Sequence, residues 1–147
     1  MKEQPECTVS EDGRKEWLLN GDYHREDGPA VEHLSGTKEW WLHGKRHRED
    51  GPARELVHGR KEWWRHGKLH REDGPAIEYP DGHKRWLLHG KLHREDGPAV
   101  ELADGRKEWW LHNKEVHPEQ IVDLHLSRGV FCYYDPETQT LHFDENT

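Results

Sequence analysis

The chain has 147 residues, of which 31% are hydrophobic and 35% are charged, and its formal net charge is −8 with histidine neutral. An acidic balance of 30 Asp and Glu against 22 Lys and Arg disfavours direct nucleic-acid binding, because that class of protein relies on clustered basic side chains. Eight tryptophans argue against disorder, since disordered segments are poor in aromatic residues, and predict a folded chain with a narrow core.

The N-terminal segment, MKEQPECTVS, lacks the apolar core of a signal peptide. No stretch of the sequence approaches the roughly 18 apolar residues of a membrane span. We therefore expect a cytoplasmic protein with no membrane partner. Cys7 and Cys132 lie near opposite ends of the chain, too far apart for a disulfide in an elongated fold, so we predict two free thiols.

A repeated heptapeptide, HREDGPA, occupies the middle of the chain, and its four copies begin at His24, His47, His70 and His93. The period is 23 residues, which indicates a repeat architecture. Tryptophan recurs at the same interval, at Trp17, Trp40, Trp63, Trp86 and Trp109. We interpret residues 1–147 as a single repeat domain, with an N-terminal half-repeat over 1–23, four hairpin repeats over 24–116 and a degenerate capping repeat over 117–147.

Two turn signals divide each repeat into short strands. Asp81-Gly82 separates two strand-like runs, and such a pair is typical of a two-residue hairpin turn. A second turn is predicted at each His-Gly-Lys sequence, as at Gly90. The pattern predicts an all-β fold, a single-layer elongated meander of tandem 23-residue β-hairpin repeats with degenerate terminal caps.

The position of the Asp-Gly turn also predicts which side chains share a face of the sheet. A two-residue turn places Ile77 opposite Trp86 and, in an equivalent repeat, Val31 opposite Trp40. We therefore predict that the repeated tryptophan column and these aliphatic residues form the core face. The other face is predicted to be acidic and to carry a discontinuous stripe of Trp41, Trp64 and Trp110.

Neither a metal site nor a catalytic site is predicted. Histidines such as His43 and His47 flank each Gly-Lys turn beside acidic residues, a donor set that transition metals accept, but their spacing does not converge three or four ligands. The sequence contains no nucleophile elbow, HExxH, P-loop or CxxC motif. We predict a protein that is not an enzyme and that has no cofactor, and we interpret the Arg-Glu-Asp triplets as charge ladders that keep the edge soluble.

One repeat departs from the pattern, because Arg54 replaces the valine or isoleucine of the others and Arg65 replaces their leucine. The predicted register puts both arginines on the face of Trp63. There they either snorkel over a partly wet sheet or form a recognition spot, since Trp and Arg are enriched in hot spots. The candidate partner-binding residues are Arg54, Arg65, Trp63, Trp64, Trp41 and Trp110.

The order of turns and strands resembles a known repeat family. The segment WLLHGKLHREDGPA shows a W-x-x-x-G-K turn, and AIEYPDG and a further aromatic strand belong to the same pattern. In these features the chain resembles the MORN-repeat variant of bacterial antitoxin-like and viral proteins, from about residue 8 to about residue 135. The resemblance implies serial β-hairpins in one elongated, curved sheet and a role in binding, usually of proteins and sometimes of lipids.

Three functions remain open at this point. The first is a rigid scaffold that binds and inhibits a protein partner, as antitoxin, immunity or viral counter-defence proteins do. The second is sequestration of a small anionic or nucleotide-like ligand by the arginines and tryptophans of the recognition spot. The third is an acidic mimic of nucleic acid, which the interleaved Lys and Arg residues make the weakest of the three.

Overall fold

The computed structural model describes residues 4–145, and in that range it contains 21 short strands and one helix. In chain order these elements are β1 (Glu6–Val9), β2 (Lys15–Leu19), β3 (Asp22–Tyr23), β4 (Val31–Glu32), β5 (Lys38–Glu39), β6 (Trp41–Leu42), β7 (Lys45–Arg46), β8 (Arg54–Glu55), β9 (Lys61–Glu62), β10 (Trp64–Arg65), β11 (Lys68–Leu69), β12 (Ile77–Glu78), β13 (Lys84–Arg85), β14 (Leu87–Leu88), β15 (Lys91–Leu92), β16 (Val100–Glu101), β17 (Lys107–Glu108), β18 (Trp110–Leu111), β19 (Lys114–Glu115), α1 (Pro118–Ser127), β20 (Cys132–Asp135) and β21 (Thr140–Phe143).

The strands confirm the predicted all-β repeat meander. One antiparallel sheet of 11 strands runs through the repeats in the order β1-β2-β4-β5-β8-β9-β12-β13-β16-β17, with β3 on the side of β2. The pairs β6–β7, β10–β11, β14–β15 and β18–β19 are separate two-stranded hairpins, one for each repeat. Each repeat therefore contributes two strands to the long sheet and one short hairpin beside it.

The tryptophan column marks the boundary between the long sheet and the short hairpins. Trp40 donates its backbone N–H to the carbonyl of Ala53, directly before β8 of the long sheet, at 2.7 Å. Its own carbonyl accepts from the N–H of His47, directly after the return strand β7 of the short hairpin, at 3.1 Å. Neighbouring short hairpins are also bonded to each other, because Gly67 N–H donates to the Arg46 carbonyl at 2.9 Å. The repeats are thus joined on both sides of the tryptophan column.

The predicted register of the long hairpins is wrong by one residue. Ile77 lies opposite Arg85, not Trp86, and Val31 lies opposite Glu39, not Trp40. The loop has three residues, because Tyr79 N–H bonds to the His83 carbonyl at 2.9 Å and Gly82 N–H bonds back to the Tyr79 carbonyl at 3.1 Å. This is the geometry of a type I turn completed by a glycine at positive φ.

A one-residue shift moves every side chain of a strand to the other face, so the face assignment changes as well. Val31, Ile77 and Val100 share a face with Glu39, Trp41 and their equivalents, and not with the repeated tryptophan column. Residues directly opposite one another form a transverse row of Glu16, Val31, Glu39, Arg54, Glu62, Ile77, Arg85, Val100 and Glu108. We call this side of the sheet the glutamate face, and the side of the repeated tryptophan column the loop face.

The two-residue turn expected at Asp-Gly occurs at the His-Gly sequences instead. Trp41 pairs with Arg46 and Leu42 with Lys45, which leaves only His43 and Gly44 in the turn. Both have positive φ, 47° and 74°, as a type I′ turn requires.

The core is narrow and is divided between the two faces. On the loop face, the alanines that end each HREDGPA segment are fully buried. On the glutamate face, Ile77 and Leu87 are buried and pack with Leu69 and Leu92. The sheet is thin and has small residues under the tryptophans, so a sequence with 31% hydrophobic residues is enough to form its core.

The C-terminal segment, which the sequence suggested to be a degenerate repeat, begins with the helix α1 and ends with the hairpin β20–β21. His117 caps the helix, Pro118 occupies its first turn, and the Gln120 side chain accepts from the His117 N–H at 2.9 Å. Ile121 and Val122 are buried. The ring of Tyr134 meets Trp109 edge-on at 5.6 Å, so this segment closes the end of the array.

Both cysteines are free, as predicted. Cys7 is exposed, whereas Cys132 is half-buried, and this burial raises the pKa of its thiol. Among residues 4–145, no helix has both the length and the apolar character needed to span a membrane.

We expect Gly82→Ala to lower the free energy of unfolding by about 1–2 kcal/mol, the cost of a side chain in the left-handed region. Gly82 has φ +93° and no atom within 4 Å of the position of an added Cβ, so strain in the backbone is the only penalty. Urea unfolding measures the loss. Gly82→Asn is the control and should recover part of it, because asparagine tolerates this region; equal losses for both variants would contradict the proposed turn.

Candidate interaction surfaces on the two faces of the sheet

The HREDGPA segments form loops in which the arginine folds back over a tryptophan of the loop face. Arg71 lies over the Trp63 ring with its guanidinium carbon 4.0 Å from the ring centroid. Its Nη1 donates to the Pro75 carbonyl at 3.1 Å, and its Nε donates to Asp73 at 3.1 Å. The equivalent arginines Arg25, Arg48 and Arg94 stack in the same way on Trp17, Trp40 and Trp86. Each arginine therefore serves as a lid on the core.

The other residues of the segment support this lid. A Cβ on Gly74 would lie 2.9 Å from the guanidinium carbon of Arg71, so a larger residue there would push the arginine away from its position. Ala76, the last residue of the segment, is fully buried. The four copies of the charged heptapeptide thus pack against the core. The sequence predicted only solvated charge ladders for these segments.

The acidic residues of the loops are the exposed part of the motif. The side chains of Glu26, Glu49 and Glu72 are 76–80% exposed. The aspartate that follows each of these glutamates is also exposed, but it is paired with the loop arginine. The hydrogen bond from this arginine, and then its charge, lower the pKa of Asp27 and Asp50. The last loop differs, because Arg128 binds Glu95 at 2.8 Å and reduces its exposure to 32%.

Two consecutive grooves lie between these loops. The first has a volume of about 790 Å³, is bounded by the loops of Arg25 and Arg48, and has Trp40 and Leu42 among its lining residues. The second, of about 530 Å³, lies one repeat further along, and Trp63 and Arg65 line it. The grooves are open and acidic at the rim, and a cation replaces leucine in the second.

The glutamate face carries a network of buried charges. Glu39 is 7% exposed and Glu62 is 2% exposed. Arg54 lies between them, with its Nε 3.4 Å from Glu39 and its Nη1 3.6 Å from Glu62. Arg46 also pairs with Glu39, at 3.2 Å, and Arg60 pairs with Glu62, at 2.7 Å. These contacts supply the counter-charges that burial of a carboxylate requires.

Opposing effects set the pKa of the Glu39 carboxyl. Burial raises this pKa. The charge of Arg46, hydrogen bonds from Trp41 and Arg46, and the charge of Arg54 lower it by a larger amount, so the pKa lies below its usual value. Glu39 therefore contributes stability above the ordinary glutamate pKa and loses this contribution as the pH falls through its lowered value.

The structure separates the candidate partner-binding residues. Arg65 lies on the loop face with Trp63, as predicted, and is exposed. Arg54 lies on the glutamate face, so the predicted placement of both arginines beside Trp63 is wrong. Trp41, Trp64 and Trp110 are half-buried on the glutamate face, where each donates its indole N–H to the glutamate two residues earlier at 3.0–3.2 Å. Trp63 is covered by an arginine, the other three indoles are hydrogen-bonded to glutamates, and Arg54 is paired with Glu39 and Glu62. Of the six candidates, this leaves Arg65 as the exposed charged side chain.

Among the residues that the structure describes, no three His, Cys, Asp or Glu side chains are grouped so as to hold a metal ion. The turn histidines pair instead with buried histidines of the preceding loop, as His43 does with His24 at 4.3 Å between ring centroids. No family model matches the chain, and no curated protein matches it significantly.

Proposed function

We propose that the chain is a non-enzymatic repeat scaffold that binds a protein partner through the grooves of its loop face and inhibits that partner. The observation that carries this proposal is the pair of consecutive grooves between the HREDGPA loops. Identical loops one repeat apart form an extended surface, which is the kind of surface that repeat proteins use to bind macromolecules.

The charges of the loop face define the partner. The loop arginines are engaged with tryptophans and aspartates, whereas Glu26, Glu49 and Glu72 extend into solvent. A basic surface on the partner would complement this row, and such complementarity increases the rate and the specificity of association. Arg65, in the second groove, would receive an acidic group of the partner.

We also propose that the chain is a divergent MORN-repeat variant and acts in the cytoplasm. The hairpin repeats, the His-Gly-Lys turns and the continuous sheet support this assignment. In that case we expect the chain to inhibit its protein partner as an antitoxin, an immunity protein or a viral counter-defence protein would.

A small anionic ligand is the less favoured alternative. That function required Arg54 and Arg65 to act together, and they point to opposite faces of the sheet. A mimic of nucleic acid is favoured by one observation, the row of exposed carboxylates on the loops. The partner of such a mimic would be a nucleic-acid-binding protein, and single- or double-stranded DNA would compete with the chain for that partner.

The test is capture of binding partners from the native host on the immobilised protein, with mass spectrometry of proteins and small molecules, followed by titration of the captured protein. We expect Arg65→Leu to weaken binding about 30-fold, the effect of about 2 kcal/mol at a hot spot. Leucine is the residue of the equivalent repeats, so the fold should be unchanged.

The matched control for this titration is Glu115→Lys, a charge reversal at an exposed residue opposite Trp110 on the glutamate face. It should leave affinity within about twofold of the parent, whereas Glu72→Lys should weaken binding at least tenfold. A partner whose affinity depends on Glu115 but not on Arg65 and Glu72 would contradict binding at the loop face.

A further inference from the structure

A buried histidine connects each repeat to the next. His24, His47, His70 and His93 are only 4–7% exposed. The Nδ1 of each accepts a hydrogen bond, 2.9–3.0 Å long, from the backbone N–H of the turn histidine 19 residues later in the chain. The donors are His43, His66, His89 and His112, all with φ between 47° and 50°. We call these four pairs the histidine latches.

The hydrogen bond defines the protonation state of each buried ring. Because Nδ1 accepts, it carries no proton, and a neutral ring then has its proton on Nε2. In three latches Nε2 faces an exposed loop glutamate, at 3.8 Å for Glu26, 3.6 Å for Glu49 and 3.4 Å for Glu72. In the fourth, it lies 3.5 Å from Glu95. A second proton would have to go on Nδ1, where it would meet the N–H of the turn.

The surroundings of His47 and His93 also disfavour a second proton. Each buried ring lies 4.3–4.5 Å from the ring of its turn histidine. Burial, the turn histidine and the charge of Arg65 hold the pKa of His47 below its usual value, and burial, His112 and Arg128 do so for His93. Glu49 and Glu95 act in the opposite direction and are outweighed.

Other charged groups surround the turns of the latches. Asp22 lies close to the turn at Gly44, Lys45 lies close to Gly67, and Lys68 lies close to Gly90. In the last latch, His125 Nε2 donates a hydrogen bond to the backbone carbonyl of Glu95 at 2.6 Å. The hydrogen bond and charge of Arg128, with the charge of His125, lower the pKa of the Glu95 carboxyl.

We propose that the histidine latches form an acid-sensitive device, which joins successive repeats at neutral pH and releases the short hairpins from the preceding loops below about pH 6. This inference does not depend on the identity of any partner. Because each interface between repeats holds one latch, protonation weakens every interface of the array, and the stability of a repeat array is approximately the sum of such interface terms. Position 116, one period after His93, is a valine, so the last unit does not repeat the buried histidine.

The sign of the effect follows from linkage. In the unfolded chain a histidine takes up its proton near pH 6.5, whereas His47 and His93 resist protonation in the folded chain. Stability is therefore complete above this pH and falls as the pH decreases through it. Carboxylates with lowered pKa values, such as Glu39 and Asp50, lose their contribution only below the ordinary carboxylate range near pH 4, so the two effects occupy different windows.

The experiment compares thermal unfolding of the full chain and of the double variant His47→Asn/His93→Asn between pH 7.5 and pH 5.5. Asparagine keeps an acceptor oxygen at the δ position but does not titrate. We expect the melting temperature of the parent to fall by roughly 5–10 °C over this range and that of the variant to fall by clearly less, because two of the four buried histidines can no longer take up a proton. An equal fall in both proteins would overturn the proposal.

A matched control and a second measurement complete the test. His58→Asn removes an exposed histidine outside the latches and should follow the parent curve. If the double variant does not fold, nitrogen-15 shifts of the parent imidazoles decide the question. At pH 7.5 the buried rings should carry a proton on Nε2 alone, and exchange protection of the His66 and His112 amides should decrease up to tenfold per pH unit on acidification. A proton on Nδ1 at pH 7.5, or protection that does not depend on pH, would refute the latches.

Discussion

Trp109→Ala should lower the free energy of unfolding by about 3–5 kcal/mol, which is the usual cost of deleting a buried aromatic side chain. Trp109 is 6% exposed, whereas the other tryptophans are only half-buried. No arginine of an HREDGPA loop covers it, and the edge of Tyr134 does so instead, at 5.6 Å between ring centroids. Its removal therefore opens a cavity and also removes one of the contacts that hold the C-terminal segment on the array.

The neighbouring residue provides the control for this variant. Trp110 lies on the glutamate face, is half-buried and donates its indole N–H to Glu108 at 3.2 Å. Trp110→Ala should cost only about 1–2 kcal/mol, since less apolar surface returns to water. Guanidinium unfolding of both variants measures the difference. Equal losses would contradict the assignment of these two tryptophans to opposite faces.

Arg54→Val should destabilise the protein by about 2–4 kcal/mol, although valine is the residue found at the same position in two other repeats. The change removes a cation that pairs with both Glu39 and Glu62, and leaving a buried carboxylate with fewer counter-charges is costly. We place the value below that of a fully buried pair because the Arg54 side chain is 29% exposed and Arg46 and Arg60 remain.

Arg65→Leu is the matched substitution for Arg54→Val, because it also restores the residue of the other repeats. Arg65 is exposed on the loop face, and its loss should change stability by less than about 0.5 kcal/mol. The cost of Arg54→Val should also diminish at acid pH, below the ordinary glutamate range, where protonation of Glu39 removes part of the need for a counter-charge. A stabilising effect of Arg54→Val at pH 7 would show that the arginine is only a tolerated irregularity.

The sequence was sufficient to predict the repeat architecture, because identical heptapeptides and regularly spaced tryptophans leave little choice of period. It was not sufficient for the register, which depends on whether an Asp-Gly pair closes a two-residue or a three-residue loop. One signal was present in the Pro80-Asp81-Gly82 sequence, since proline and glycine suit the second and fourth positions of a type I turn. The other repeats lack that proline.

The roles of Arg54 and of the loop arginines could not be derived before the register was known. Arg54 becomes a counter-ion only when Glu39 and Glu62 are its direct neighbours across the sheet. The lid formed by Arg71 depends on a loop that folds back over Trp63, and no short-range pattern predicts that path. The helix α1 did have a signal, the capping sequence at His117, Pro118 and Gln120, but it occurs once and lies outside the 23-residue repeat.

The most direct test of binding at the loop face is carbodiimide labelling of carboxyl groups. The labelling is followed residue by residue in the free protein and in its complex with the captured partner. In the free protein, Glu49 and Glu72 should react rapidly, and Glu39 and Glu62 should be almost unreactive. In the complex, Glu49 and Glu72 should become protected while the exposed Glu115 remains reactive. Rapid labelling of Glu39 and Glu62 in the free protein, or protection of Glu115 with Glu49 and Glu72 unchanged, would contradict the proposed surface.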